Sequence, residues 1–326
     1  MTVRLGFLGV GWIGRDRLLA LAAAGGVDVA AVADTSPERA GAVADEVGAP
    51  AVAPDSLLDG TLGLDGLVIA TPSGLHVEQS LAALEHGLAV FCQKPLGRTA
   101  EECRTVVEAA RAADRLLGVD LSYRHLEGVQ RMRQVVADGG IGDVYAADLV
   151  FHNAYGPNRA WSRDPARAGG GCLIDLGVHL VDLALWLLGG PKVESVTARL
   201  FAGGRPLGDA RQVEDYATAR IDLATGAAVD IACSWGLHAG QDAIIGARFY
   251  GTDGAVALHN VGGSFYDFRA ERLRGNQHEV LAEPPDAWGG RAAVSWARQL
   301  AATPAFDPGI EAVVTVAEVL DRAYGR

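Results

Sequence analysis

The segment Gly9-Val10-Gly11-Trp12-Ile13-Gly14 constrains this chain more than any other. It follows directly on an apolar run and opens a helix-length segment. In that context the three glycines of a G-x-G-x-x-G spacing have separate tasks. The first allows a tight turn, the second lets backbone approach a diphosphate, and the third packs the helix against the strand. The diphosphate then rests on the helix amino terminus. The motif alone is weak evidence in a chain with 42 glycines. Here Asp34 completes it, twenty residues beyond Gly14 at the end of the next apolar run. Gly9, Gly11, Trp12, Ile13 and Gly14 are therefore expected to cradle a dinucleotide, and Asp34 to accept hydrogen bonds from the adenine-ribose hydroxyls. The charge of Asp34 would repel a 2′-phosphate, which favours NAD; Arg39, five residues on, softens that preference and leaves NADP open.

The pattern around this loop extends over the first third of the chain. Short apolar runs at 3–8, 27–33, 51–53, 67–70, 89–92 and 116–119 alternate with helix-length segments at 15–24, 37–47, 76–86 and 100–113. The runs show little period-two alternation, as expected of strands covered on both faces. Strands alternating with helices predict a parallel sheet with right-handed crossovers. Beyond residue 120 the pattern changes. Residues 125–138 and 171–188 read as helices, and 216–223 with 227–234, and 243–250 with 255–259, read as hairpins around glycine-containing turns. The expected fold class is α/β: a Rossmann doubly wound parallel sheet over residues 1–121, then an α+β domain over 122–326 with a large, mostly antiparallel open sheet. Helices at 291–301 and 309–324 close the chain.

At 326 residues the length fits two domains. A net charge of −12 offers no basic stripe for nucleic acid. The four cysteines, Cys92, Cys103, Cys172 and Cys233, lack C-x-x-C spacing, so neither a disulfide framework nor a zinc site is indicated. Reduced thiols and an opening segment that enters a strand at once, with no charged region before a long apolar stretch, lead us to expect a cytoplasmic protein. The most apolar helix, 173–188, carries Asp175, His179 and Asp182, so no membrane span is expected.

Only two lysines occur, Lys94 and Lys192. Arginine stays protonated at any usable pH, whereas lysine can be tuned to exchange its proton. Lys94 ends an apolar strand in Phe91-Cys92-Gln93-Lys94-Pro95, and Pro95 biases it away from helical torsions. Some eighty residues on, Gly169-Gly170-Gly171 precedes a helix on which Asp175, His179 and Asp182 fall at i, i+4 and i+7, on one face. Leu173, Leu176, Leu180, Leu183 and Leu187 form the apolar face. The glycines are expected to leave room for a bulky ligand and to expose the helix amides. Histidine is the natural acid/base near neutral pH. Read without further context, the cluster is also compatible with a capped amphipathic helix. Asp175 and His179 lack well-spaced further ligands, so no metal is expected.

Taken in order, Gly9–Gly14, then Ala70-Thr71-Pro72-Ser73-Gly74-Leu75-His76, Cys92-Gln93-Lys94-Pro95, and Trp161-x-x-Asp164-Pro165 through Asp182, the chain resembles the Gfo/Idh/MocA oxidoreductases over nearly its whole length. The resemblance implies hydride transfer between NAD(P) and a secondary alcohol or carbonyl carbon of a sugar, cyclitol or related polyol. It also implies a homodimer or homotetramer assembled through the second domain's open sheet. Lys94 and His179 would be the proton-handling pair and Asp175 would hold a substrate hydroxyl. Thr71, Pro72 and His76 would lie along the nicotinamide half of the cofactor. Two departures stand out: Gln93 replaces the usual glutamate, keeping a hydrogen bond to ribose but not the negative charge, and Ser73 replaces asparagine. Tyr123, Arg124, Asn153, Tyr155, Asn158, Arg159 and Trp161 fall where the substrate loops belong, with Trp161 placed to stack on cofactor or sugar; Arg159 or Arg163 leaves an acidic sugar open. Two other functions remain open on the same residues: glycoside cleavage through transient oxidation and elimination with no net NAD turnover, and a non-catalytic dinucleotide or sugar sensor.

Overall fold

The computed structural model describes residues 2–208 and 212–326, which divide into two units. The first comprises residues 2–122 and 289–314, the second residues 123–208, 212–288 and 315–326.

In the first unit β1 (Val3–Leu8), β2 (Val27–Ala33), β3 (Gly66–Ile69), β4 (Ala89–Cys92) and β5 (Leu117–Val119) form a parallel sheet ordered β2-β1-β3-β4-β5. Helices α1 (Trp12–Ala24), α2 (Pro37–Val47), α3 (His76–Glu85) and α4 (Ala100–Ala112) connect them. Their limits follow local chemistry. Ser36 accepts a hydrogen bond from Arg39 N and Pro37 stands at the first position of α2, while Gly48 ends that helix at φ 69°. Because helices cover both faces, β3 and β4 are buried at every residue.

Two expectations change here. The run 51–53 forms no strand; it reduces to a single bridge between Ala51 and Val32. Pro50 and Pro54 bracket it, and a ladder cannot extend through residues without an N–H. The helix Arg291–Ala302 belongs to the first unit, not to the domain expected over 122–326. Its Trp296 lies 5.5 Å from the Phe91 ring, between centroids. Gly66 and Gly118 make this possible: a Cβ at either would come 2.9 or 2.7 Å from the Trp296 ring. Burying a side chain of this size stabilises by roughly 1.5–3 kcal/mol, which holds the returning segment on the sheet.

The second unit holds α5 (Glu127–Ala137), β6 (Val144–Asn153), a short α6 (Pro165–Ala168), α7 (Val178–Leu187) and β7 to β14. The strands β7 (Val193–Ala202), β8 (Arg205–Pro206), β9 (Tyr216–Leu223), β10 (Ala228–Ser234), β11 (Ala243–Gly251), β12 (Gly254–Asn260), β13 (Phe268–Arg274) and β14 (Gln277–Ala282) join β6 in one sheet, ordered β14-β13-β12-β11-β6-β10-β9-β7-β8. Its pairings are antiparallel except for β6 with β10. Ala147, Leu149 and Phe151 of β6 alternate into the core, with Val181, Ala184 and Leu187 of α7 in the same cluster. The run Pro165–Leu187 is long and apolar enough to cross a membrane by composition, but 89% of its most apolar stretch is buried inside the protein; it is a core helix.

Candidate functional site

The glycine loop of the first unit is shaped as its spacing requires. Gly9 has φ +86°, and a Cβ there would come 2.8 Å from the Ala70 backbone. A Cβ at Gly14 would come 2.0 Å from the Gly9 carbonyl oxygen, so the third glycine sets how closely α1 meets β1. At Gly11 nothing lies within 4 Å of the Cβ position, which keeps the helix amino terminus open to a diphosphate. Ile13 is half-buried, whereas the Trp12 indole beside it is 65% exposed.

Asp34 is buried at the end of β2. Its carboxylate accepts from Val10 N at 3.0 Å, tying it to the loop, and from Ser36 N at 2.9 Å. Arg39 Nη1 lies 3.1 Å from Asp34 Oδ1. Thr35 Oγ1 also lies 3.5 Å from Oδ1, whereas Oδ2 accepts from Val10 N alone, so of the carboxylate's about four lone-pair sites one on Oδ2 remains for a ribose hydroxyl. These residues fit a bound dinucleotide.

Across β1 from Asp34, the ends of β3 and β4 carry the other expected cofactor residues. Thr71 donates its hydroxyl to Gln79 Oε1 at 2.6 Å, and Pro72 precedes the turn Ser73–Leu75. His76 departs from its expected role. It is buried, with Nδ1 2.7 Å from the Pro95 carbonyl oxygen and Nε2 2.8 Å from that of Thr71. Its polar atoms thus brace the Thr71 and Pro95 backbones and are not turned to a cofactor. Two facing carbonyls favour a doubly protonated ring. Burial opposes this more strongly, aided by the Lys94 charge, and holds the imidazole below its usual pKa. Lys94 is half-buried after β4, and its peptide bond to Pro95 is cis. Gln93, buried beside it, donates its side-chain amide to Asp120.

In the second unit Leu173–Gly177 winds as a π-helix before continuing as α7. Such widened turns occur often at functional sites. Asp175 lies in the π segment and His179 in the first turn of α7. Trp235, just after β10, donates its indole N–H to Asp175 Oδ2 at 3.1 Å. His179 is buried against Tyr123, with ring centroids 4.9 Å apart, and faces Phe151 at 6.4 Å. Tyr123 in turn packs on Phe151, Phe268 and Trp288. Its hydroxyl is pushed well above its usual pKa by burial, then by the nearby Tyr266 and Asp175. Asn153 ends β6 in alternation with Phe151, and its buried Oδ1 has no hydrogen-bond partner. The arrangement is an aromatic wall with polar groups at its edge, suited to a ring that is apolar on its faces and hydroxylated at its rim.

Three expectations are corrected in this unit. The glycines before the helix do not open it to a ligand. A Cβ at Gly171 would come 1.9 Å from the Glu214 carbonyl oxygen, and one at Gly170 would come 2.1 Å from the Tyr324 hydroxyl. The helix amides are taken too: buried Glu214 accepts from Gly171 N at 3.0 Å, from Leu173 N at 2.8 Å and from the Tyr324 hydroxyl at 2.8 Å. Asp182, expected on one helix face with Asp175 and His179, is not presented beside them as a free polar group. It is buried and held by Arg124 through two-pronged contacts, one at 2.9 Å. Burial pushes its carboxyl above the usual range while Arg124 pulls against it. Arg124 is therefore a brace, also set over the Trp186 ring at 5.6 Å, and not a residue turned to substrate. Among the remaining loop residues, Trp161 sits half-buried on the turn Ala160–Arg163, Tyr155 donates to Asp242 at 2.6 Å, and Asn158 and Arg159 are exposed. Trp235, Tyr266, Trp288 and Glu214 escaped the sequence analysis, because each is a single residue in a strand or loop with no motif around it.

Comparison with known proteins agrees with both units. Residues 3–121 match the oxidoreductase family described as having an NAD-binding Rossmann fold, and residues 129–257 match the GFO/IDH/MocA C-terminal domain. An inositol 2-dehydrogenase of Saccharopolyspora erythraea is 32% identical over 260 residues, spanning 79% of this chain and 73% of the relative. A 1,5-anhydro-D-fructose reductase of Ensifer adhaerens is 33% identical over 261 residues, spanning 79% and 76%. GenD2 from gentamicin A biosynthesis, solved in complex with NAD, superposes with a TM-score of 0.80 at 26% identity, over 99% of this chain and 93% of that one. Levoglucosan dehydrogenase, solved with NADH and levoglucosan, shares the fold at a TM-score of 0.84 and 22% identity, over 100% and 97%. The chain belongs to the GFO/IDH/MocA oxidoreductase family, with an NAD-binding Rossmann domain and a mostly antiparallel second domain.

Proposed function

We propose that the protein is a dehydrogenase or reductase acting on a secondary alcohol or carbonyl carbon of a sugar, cyclitol or related polyol, with NAD preferred over NADP. The observation that carries the substrate class is the polar rim of the aromatic wall: Asp175 held by Trp235, His179 against Tyr123, and the unpartnered buried Oδ1 of Asn153. Acceptors of this kind recognise several hydroxyls at once. The relatives named for inositol and anhydrofructose support the same class.

The bound nicotinamide supplies the hydride chemistry. His179 takes the hydroxyl proton in oxidation and returns it in reduction, and Tyr123 and Phe151 fix its ring. Asp175 accepts a hydrogen bond from a neighbouring hydroxyl and orients the substrate, its own carboxylate oriented by Trp235. Lys94, the other member of the proton-handling pair, polarises the reacting oxygen. Asp34 anchors the adenosine end, with the glycine loop holding the diphosphate.

The same reading takes the protein to be cytoplasmic and a homo-oligomer assembled through the nine-stranded sheet. Free cysteines, with the Cys233 thiol donating to the Cys172 sulfur at 3.9 Å, suit a reducing compartment. The mixed charges of Arg220, Asp222 and Asp230 on the sheet suit a self-complementary contact; light scattering on the purified protein tests it. A panel of sugars and cyclitols, followed by reduced-nicotinamide absorbance, tests the activity. NADH formed in step with oxidised product supports the proposal. Product formed without NADH points to oxidation and elimination, and NAD binding with no turnover on any polyol points to a sensor.

A further inference from the structure

The carboxyl ends of β4 and β5 hold a buried network that the proposed function does not use. Asp120 follows β5 directly and is 1% exposed. Its Oδ2 accepts from Arg17 Nε at 2.6 Å and from the Gln93 side-chain amide. Arg17, on α1, is also buried and pairs with Asp16 at its edge. Asp120 Oδ1, by contrast, is an orphaned buried acceptor, the kind of atom that a ligand or ordered water satisfies.

A carboxylate only accepts, so Asp120 decides which end of Gln93 faces it. The amide nitrogen turns to Asp120, which leaves Gln93 Oε1 as an acceptor on the other side. The charges disfavour a glutamate in the same place. Around Asp120 stand Arg17 from α1, with Asp16 at its edge, and Cys92 from β4; burial pushes the Cys92 thiol far up, so it carries no charge. One buried cation meets one buried anion, and a second carboxylate at position 93 would be uncompensated. The sheet order places Asp34 on one side of β1 and β3, β4 and β5 on the other. With the adenine ribose at Asp34 and the diphosphate at the glycine loop, the nicotinamide half therefore crosses the ends of β3 to β5.

We propose that Asp120 is a positioning residue of the nicotinamide-ribose subsite, holding the Gln93 amide so that its Oε1 accepts from a ribose hydroxyl. This rests on dinucleotide binding alone, so its failure would leave the polyol reading untouched. Isothermal titration with NAD in the absence of substrate tests it. Gln93→Glu is expected to weaken NAD about tenfold near neutral pH, and affinity should recover as the pH is lowered until the two carboxyls share a proton. In Gln93→Glu/Asp120→Asn the carboxylate and amide exchange places, and one anion again faces Arg17. Affinity should return to within about threefold of the parent and the added pH dependence should vanish. Parental affinity in Gln93→Glu at every pH overturns the proposal, as does a folded double variant that fails to recover. If Gln93→Glu does not fold, Gln93→Met removes the acceptor at similar length. About tenfold weaker NAD binding then supports the proposal, and unchanged binding overturns it.

Discussion

Trp235 donates its indole N–H to Asp175 across 3.1 Å, joining the end of β10 to the π-helical turn that leads into α7. A hydrogen bond to a charged group contributes about 1.5–3 kcal/mol. Trp235→Phe keeps an aromatic ring and removes the donor. It is expected to lower kcat/KM for the polyol about tenfold or more while NAD affinity stays at the parental value. Unchanged kcat/KM would show that Asp175 needs no such orientation.

The Asp34 carboxylate meets Val10 N, Ser36 N and Arg39 together. Asp34→Ala should weaken NAD more than NADP, since it removes both the ribose acceptor and the repulsion toward a 2′-phosphate. Arg39→Ala should act in the opposite sense, weakening NADP and leaving NAD nearly unchanged. Dissociation constants for both cofactors in each variant check this. An unaltered NAD/NADP ratio in Asp34→Ala counts against the ribose assignment.

Glu214 stands at the start of the helix that bears Asp175 and His179. Removing it in Glu214→Ala leaves the buried amides of Gly171 and Leu173 without an acceptor and opens a cavity. A loss of about 2–4 kcal/mol is expected from these effects together. Tyr324→Phe deletes one hydrogen bond to the same carboxylate and should cost about 1 kcal/mol. Urea unfolding midpoints measure both. Wild-type stability in Glu214→Ala would mean that the helix start is held by other contacts.

His76 gives a pH dependence with a defined sign. Its folded pKa lies below the ordinary 6.5 because burial, and secondarily Lys94, disfavours the charged ring. A depressed folded pKa contributes stability that is present above the unfolded value and is lost as pH falls through the folded one. Unfolding midpoints should therefore drop on acidification below about pH 6.5, and His76→Asn should flatten that drop. Asp182 and Glu214, whose carboxyls burial pushes up, act in the opposite sense, so the difference between parent and variant is the informative quantity. An equal drop in both would rule out His76 as its source.

What the sequence disclosed was what local chain chemistry encodes. The glycine loop, Asp34 at the end of β2, Lys94 just after β4 and the helix bearing Asp175 and His179 each lie within a few residues of their own signal, and the structure places each at the expected strand end or helix. Partners distant along the chain were not legible. Asp120 and Arg17 are 103 residues apart and Trp235 and Asp175 are 60 apart; strand order alone unites them. The glycines before the π-helix misled because small residues read equally as space for a ligand and as space for the protein's own Glu214 and Tyr324. Arg124 and Asp182 misled similarly: polar residues on loops and helix faces look available until each is found holding the other. The return of the Trp296 helix to the parallel sheet is written in Gly66 and Gly118, but strand glycines do not name the residue that fills them.

Turnover and NAD binding measured together in His179→Ala test the central claim most directly. We predict that kcat for the best polyol falls at least about a hundredfold, the size expected of a positioned acid/base, with the dissociation constant of NAD unchanged. Near-normal turnover in that variant would contradict the account.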